Sequence, residues 1–226
     1  MSDRTTREKQ YQPLIEIADQ VGTTELGLMT NQAWHDDPKR LTFTFSRYKF
    51  AAKMLSGMER VLEVGCGDGF VSRVVRQEVG ELVAVDFDPV FIEDAERRMA
   101  DKWRFEVRVH DILNSSVTPG DFDAAYSLDV MEHILPADED AYLSNIAASL
   151  KPQGVFIAGM PSLESQEYAS RLSREGHVNC KTSPDLKAAL SRHFHNVFSF
   201  SMNDEVVHTG YHKMAHYIFA MGVGVK

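Results

Sequence analysis

The sequence predicts an α/β protein with a mostly parallel sheet, helices on both faces and an antiparallel strand pair at the C-terminal end. Three observations carry this. Between Arg60 and Pro89 an aliphatic run (Val61, Leu62, Val64) breaks into glycines at alternate positions, a helical stretch begins at Phe70, and a second aliphatic run (Leu82 to Val85) ends on Asp86. That is the order strand, turn, helix, strand. Runs of strand length then alternate with helical patterns as far as Phe194, as βα units require. From Val197 the tail reads as two strands, Val197 to Phe200 and Ala215 to Met221, joined by a polar connection.

Taken in order, residues 1 to 10 are polar and expected to be loose. Leu14, Ile17, Ala18 and Val21 recur at helical spacing before Gly22, which predicts a short helix from Gln12, and Thr23 to Trp34 reads as loop. Asp37 as N-cap and Pro38 in the first turn open a second helix, with its apolar stripe at Leu41, Phe45, Tyr48, Ala52 and Leu55 and its end at Gly57. These helices form an expected cap over residues 1–58, ahead of a domain over 59–226. After Asp86, Asp88 and Pro89 start a helix to about Ala100, and Trp103 to His110 alternates as a strand ending at Asp111-Ile112. Pro119-Gly120 turns the chain into a fourth strand, Phe122 to Leu128. An amphipathic helix over 137–150 and a fifth strand, Val155 to Gly159, follow; helices are then expected over Leu163 to Gly176 and after a Ser183 cap.

The glycine turn carries the first functional reading. Glycines at 65, 67 and 69 let the backbone turn sharply and approach a ligand at a helix N-terminus. Asp86, 21 positions after Gly65, ends the second strand where a carboxylate can accept from both hydroxyls of a ribose. A nucleoside is expected here, and Phe70 stands where a dinucleotide fingerprint wants a small residue, so the loop departs from that pattern.

The E-V-G-C-G-D-G loop with Asp86 resembles motif I of the class I S-adenosylmethionine (SAM) methyltransferases, and the D-V-M-E-H run at 129–133 resembles the pattern after their fourth strand. The likeness runs from Trp34 to Val225, nearest to the small-molecule branch related to quinone-pathway enzymes. It implies a Rossmann-like sheet of seven strands, the seventh inserted between the fifth and sixth. It implies SAM as cofactor and S-adenosylhomocysteine (SAH) as product. Glu63, Gly65, Cys66, Gly67 and Gly69 would surround the methionine part. Asp86 and Phe87 would meet the ribose, Asp111 and Ile112 the adenine, and Leu128 and Asp129 would complete the pocket. Arg47 would meet the cofactor carboxylate, or simply be a solvated arginine beside a core tyrosine. Asp111 has the alternative of a turn cap.

For the acceptor, Glu132 and His133 leave the fourth strand at the edge where open α/β sheets bind ligands. His133, His177 and His208 are the imidazole candidates for catalysis, and Trp34, Glu132, His133, Asn179 and Asn203 for substrate contact; each polar one also has a reading as a local backbone cap. His208, His212 and His216 are spaced by four, but Gly210 breaks a helix there, and on a strand that spacing separates residues by roughly 13 Å. No metal site is expected. G-x-S-x-G, H-E-x-x-H, a P-loop lysine and C-x-x-C are all absent.

With 24 basic and 33 acidic residues and a formal charge of −9, the chain disfavours nucleic acid. Two distant cysteines fit a reducing cytoplasm, and no apolar stretch approaches the roughly 20 residues that span a bilayer. The expected function is methyl transfer to oxygen or nitrogen of a small polar metabolite, conceivably a sugar or glycan precursor, by a monomer or homodimer. Two alternatives are an RNA or protein acceptor, and a SAM-binding module without turnover.

Overall fold

The computed structural model describes residues 4–226; the first three residues of the polar start lie outside the described part. Helices α1 (Gln12–Val21), α2 (Leu28–Asp36) and α3 (Lys39–Met54) precede the sheet. Then come β1 (Arg60–Val64), α4 (Arg73–Arg76), β2 (Glu81–Asp86), α5 (Pro89–Arg98), β3 (Glu106–Val109) and β4 (Phe122–Leu128). The second half holds α6 (Glu139–Ser149), β5 (Leu150–Pro161), α7 (Arg171–Gly176), α8 (Ser183–Ser191), β6 (Phe194–Asn203), β7 (Val206–His208) and β8 (Tyr217–Val225).

The eight strands lie in the order β3-β2-β1-β4-β5-β8-β6-β7. The first five in sequence are parallel, and β8 runs antiparallel between β5 and β6. The parallel order reverses beside β1, which puts the C-terminal ends of β1 and β4 next to each other. A ligand crevice belongs at such a point.

Period-two alternation divides the core into two layers. Val61, Tyr126, Ile157, Tyr217 and Phe219 face α3 and α4, where they pack with Tyr48, Ala52, Leu55 and Val75. Leu62, Val64, Phe156 and Ile218 face α6 and α8, where they meet Tyr142, Leu143, Ile146, Leu186 and Leu190. Glu63 shares the face of Val61 and is buried in the first layer.

Several expectations need correction. The stretch read as loop forms α2, whose first turn is held by a carboxylate distant in sequence rather than by a local cap. Pro38, not Asp37, is the cap position of α3, although Asp37 Oδ1 still accepts from the Lys39 amide at 3.3 Å. The helix after the glycine turn shrinks to the four residues of α4. Trp103 takes a left-handed φ of 62°, which ends the possibility of strand there and delays β3 to Glu106. The 163–176 stretch splits into a 3-10 segment, Leu163–Tyr168, and α7. Thr182 rather than Ser183 caps α8, accepting from the Asp185 amide. The polar connection in the tail contributes β7, so the sheet has eight strands and not seven.

Candidate functional site

The turn after β1 passes through Gly65, Gly67 and Gly69 with φ of 76°, 52° and 62°. Side chains cost roughly 1–2 kcal/mol per residue in that region. At Gly65 space decides as well: a Cβ would come within 2.3 Å of Val130, in the turn that leaves β4. The missing side chain therefore lets the two strand ends close together. At the end of β2, the Asp86 carboxylate accepts from the Gly67 amide at 2.9 Å and the Asp88 amide at 3.0 Å. Each oxygen takes one backbone donor and keeps a second lone pair. The pair of oxygens is thus fixed in direction, and Phe87 beside it is exposed. Asp111 makes the turn cap, accepting from the Leu113 amide and from Asn114 Nδ2, both at 2.9 Å. Ile112 is buried after it, its carbonyl bonded to Asn145 Nδ2. Cys66 is buried in the turn, and burial pushes its thiol up out of the reactive range.

Helix α2 closes over this turn. Asp68, itself buried, accepts from the Thr30 amide at 2.8 Å and the Thr30 hydroxyl at 3.2 Å, and Met29 Sδ lies 2.6 Å from where a Gly67 Cβ would be. Nothing in the spacing of residues 23–34 signals this, because the partner acid lies 38 positions away. Trp34, expected at the substrate, is half exposed near the end of α2.

Glu63 lies inside the layer between sheet and α3 rather than open to the turn. Tyr48 donates to its Oε1 at 2.7 Å. Burial raises the carboxyl to about 6, an effect partly offset by the neighbouring hydroxyls of Ser72, Tyr48 and Tyr126. Arg47 of α3 reaches across to β4 instead of standing free. Its Nη1 lies 2.9 and 2.8 Å from the two Asp129 oxygens, and its guanidinium sits 3.9 Å over the Tyr217 ring of β8. Nε of Arg47 is buried with no hydrogen-bond partner. Asp129 holds a left-handed φ of 59° at the strand end, strain of the kind retained at ligand sites. Leu128, just before it, is buried under Gly159.

Beyond Asp129 the chain makes a 3-10 turn, Met131–His133. The Glu132 carbonyl accepts from the amides of Val178 at 2.8 Å and Asn179 at 3.0 Å, which pins the segment after α7 to the end of β4. This brings His177 to His133, with ring centroids 5.1 Å apart. His133 Nδ1 lies 2.9 Å from the Gly176 carbonyl, and His177 Nδ1 lies 2.9 Å from Gln166 Oε1. Gln166 Nε2 donates to the Ser162 carbonyl, so its oxygen is the end turned to the histidine. Both acceptors oblige Nδ1 to carry the proton, which leaves the lone pair of each ring on Nε2. Glu132 is 1% exposed, its Oε2 has no hydrogen-bond partner, and burial followed by the Asp129 charge pushes its carboxyl well up. One donor atom each from Glu132, His133 and His177 falls within 4.8 Å of the others. Burial and the neighbouring His133 hold His177 below the usual histidine range.

Three expected residues fall elsewhere. Asn179 is buried in an ion network, donating to Glu139 and accepting from Lys181. Asn203 donates to the Met214 carbonyl and pairs with His208 Nε2 at 2.8 Å, while His208 Nδ1 accepts from the Gly210 amide. β7 lies four strands from β4, about 19 Å at the usual strand spacing. His208 and Asn203 hold the β6–β7 turn, and the roles at the acceptor expected for them are withdrawn. Gln166 and Tyr217 were missed: each acts through a partner distant in sequence, and neither sits in a motif. A cleft of about 540 Å³ lined by Phe45, Phe70, Arg73, Arg98 and Trp103 includes none of Asp86, Asp111 or Asp129.

Residues 61–154 match a family described as a methyltransferase domain. Curated relatives include the ubiquinone biosynthesis O-methyltransferase of Xanthomonas campestris pv. campestris (strain B100), 27% identical over 155 residues, 63% of this chain and 64% of that protein. The protein of the same name from Xylella fastidiosa (strain M23) is 30% identical over 173 residues, 70% of this chain and 66% of that one. The chain thus spans less than two thirds of the length of the Xanthomonas relative. Among solved structures, the N-methyltransferase NodS from Bradyrhizobium japonicum WM9 in complex with SAH superposes with a TM-score of 0.60 at 17% identity, covering 84% of this chain and 90% of that one. The complex between the Haloferax volcanii Trm112 activator and a methyltransferase gives 0.66 at 15% identity, over 85% and 96%. At these identities the likeness is one of fold.

Proposed function

We propose that this chain, a member of the class I SAM-dependent methyltransferases, carries the methyl group of SAM to a hydroxyl oxygen of a small molecule, releasing SAH. The residues fit the cofactor. Asp86, with two oriented lone pairs, takes the ribose diol; Asp111 takes the adenine amino group; the glycine turn admits the methionine portion. When bound, the sulfonium supplies a methyl carbon already set to leave sulfur. The protein's part is then alignment, since proximity supplies most of the acceleration in such a displacement. Asp129, clamped by Arg47, fixes the end of β4, and the 163–179 segment is held against it through Val178 and Asn179.

The observation that carries the choice of oxygen is the pair of imidazoles beside Glu132, with both Nε2 lone pairs left available. A neutral amine attacks through its lone pair without first losing a proton, whereas a hydroxyl is a weak nucleophile until a base takes its proton. As the new C–O bond forms and the C–S bond breaks, the hydroxyl proton is drawn off at this group. The O-methyltransferase name of the curated relatives supports the same choice. Leu163, Tyr168, Leu172 and Val178 are exposed along the segment that carries Gln166 and His177. An acceptor with an apolar skeleton around its hydroxyl suits that rim better than the sugar expected from sequence.

The test is incubation with methyl-labelled SAM and fractionated extract. The reading requires label as a methyl ether in the small-molecule pool, and its loss with His177→Ala while SAH affinity stays within about twofold. Label on nitrogen, or in RNA or protein, overturns it.

A further inference from the structure

We propose that Glu132, His133 and His177 form a divalent-cation site that the sequence pattern did not disclose, and that the acceptor oxygen binds there. The inference rests on the oxygen-acceptor reading above for its second half only; cation binding stands on its own.

Three features of the group converge. One donor atom from each residue lies within 4.8 Å of the others. Small rotations bring them to the roughly 3–3.5 Å edges of a coordination shell with bonds near 2.1 Å. Each histidine donates a hydrogen bond from its Nδ1–H to a carbonyl oxygen, His133 to Gly176 and His177 to Gln166. That outer contact is the one that fixes a ligating imidazole's tautomer and orientation. Glu132 is 1% exposed and its Oε2 has no partner. A buried carboxyl oxygen left unsatisfied is costly, and a cation supplies what the protein does not.

The ligand set decides the class of ion. Two imidazoles and one carboxylate suit zinc, manganese or ferrous iron better than calcium, and three protein ligands leave positions open. Asp129 does not complete the set, because Arg47 holds both its oxygens. With an ion held, the Nε2 lone pairs are its ligands and no longer the proton acceptor. The ion lowers the pKa of an acceptor hydroxyl in an open position, the proton passes to solvent water, and the oxygen is then the nucleophile. The ion would also staple two separate parts of the chain, the turn after β4 and the end of α7, which now meet through the Glu132 carbonyl and the Gly176 carbonyl alone among the bonds described above.

The experiment uses Mn²⁺ alone on chelator-treated full-length protein, followed by electron paramagnetic resonance and repeated with Zn²⁺ by calorimetry. One ion per chain is expected. Glu132→Gln and His177→Ala should each weaken binding at least about tenfold, and Gln166→Ala, which frees the His177 ring, by about tenfold. His208→Ala should change nothing, which separates this site from adventitious histidines. SAH affinity, measured on the same samples, reports folding independently of the ion. Absence of stoichiometric Mn²⁺ and Zn²⁺ binding by the unaltered protein, or binding unchanged in Glu132→Gln and His177→Ala, overturns the proposal. A metal-binding protein that transfers no methyl to oxygen would sink the functional reading and leave the cation site standing; metal-independent O-methylation would overturn the placing of the acceptor oxygen on the ion and leave the functional reading standing.

Discussion

The two halves of the candidate site are built differently. Around β1 and β2 the site is made by main chain: glycines at left-handed φ, amides converging on Asp86, and Asp68 holding the start of α2. Around β4 it is made by side chains from distant segments: Arg47 from α3, Asp129 and Glu132 after β4, and Gln166 and His177 from the 163–179 region. A backbone-built site fixes a constant ligand part and tolerates little change. A side-chain-built site on exposed segments can be remodelled to suit an acceptor. The division matches a reaction in which one substrate is common to the family and the other is not.

The largest effect should come from putting a side chain into the backbone-built half. Gly65→Ala combines a left-handed φ with a Cβ 2.3 Å from Val130, and should cost about 2–4 kcal/mol by urea denaturation. Adding Val130→Ala should restore part of that loss by making room, leaving only the backbone component. If the double variant is no more stable than the single one, the close approach of the two strand ends is not the reason for the glycine.

Glu63 gives a pH signature of the same half. Its carboxyl stands at about 6 in the native protein against an ordinary value of 4.5. The folded chain therefore holds this proton more tightly than the unfolded chain does. Its contribution is fully present below about pH 4.5 and disappears as pH rises through 6, a change of about 2 kcal/mol. Glu63→Gln should remove that slope between pH 5 and pH 8, seen as the difference in urea midpoints between variant and wild type. Parallel profiles would mean that the carboxyl is not held in its protonated form.

A smaller effect is expected where α2 meets the turn. Thr30→Ala removes the hydroxyl bond to Asp68 but keeps the amide bond, and should cost about 1 kcal/mol. Its signature is local: faster amide exchange across 28–36 with the sheet unaffected. Uniform acceleration would show that α2 is not a separable element.

Much of the backbone-built half was legible in the sequence because it is local. The glycine turn, Asp86 and the Asp88-Pro89 helix start are contiguous signals, and the structure places them where the spacing put them. The side-chain-built half was legible only as candidates. His133 and His177 lie 44 positions apart in the chain, and what joins them is the pairing of the Val178 and Asn179 amides with the Glu132 carbonyl, which no periodicity announces. Asn179, Asn203 and His208 carry the same residue types yet serve an ion network and a hairpin turn. Helix α2 was read as loop for a related reason: its first turn is held by Asp68, outside any local window.

The most direct test of this division is titration calorimetry of SAH against the wild type, Asp86→Ala and His177→Ala, each checked for folding by circular dichroism. The account predicts that Asp86→Ala weakens SAH binding at least about a hundredfold, the worth of two charge-assisted hydrogen bonds. It predicts that His177→Ala leaves SAH binding within about twofold, a shift of under half a kcal/mol. Unchanged affinity in Asp86→Ala, or an equal loss in both variants, would contradict it.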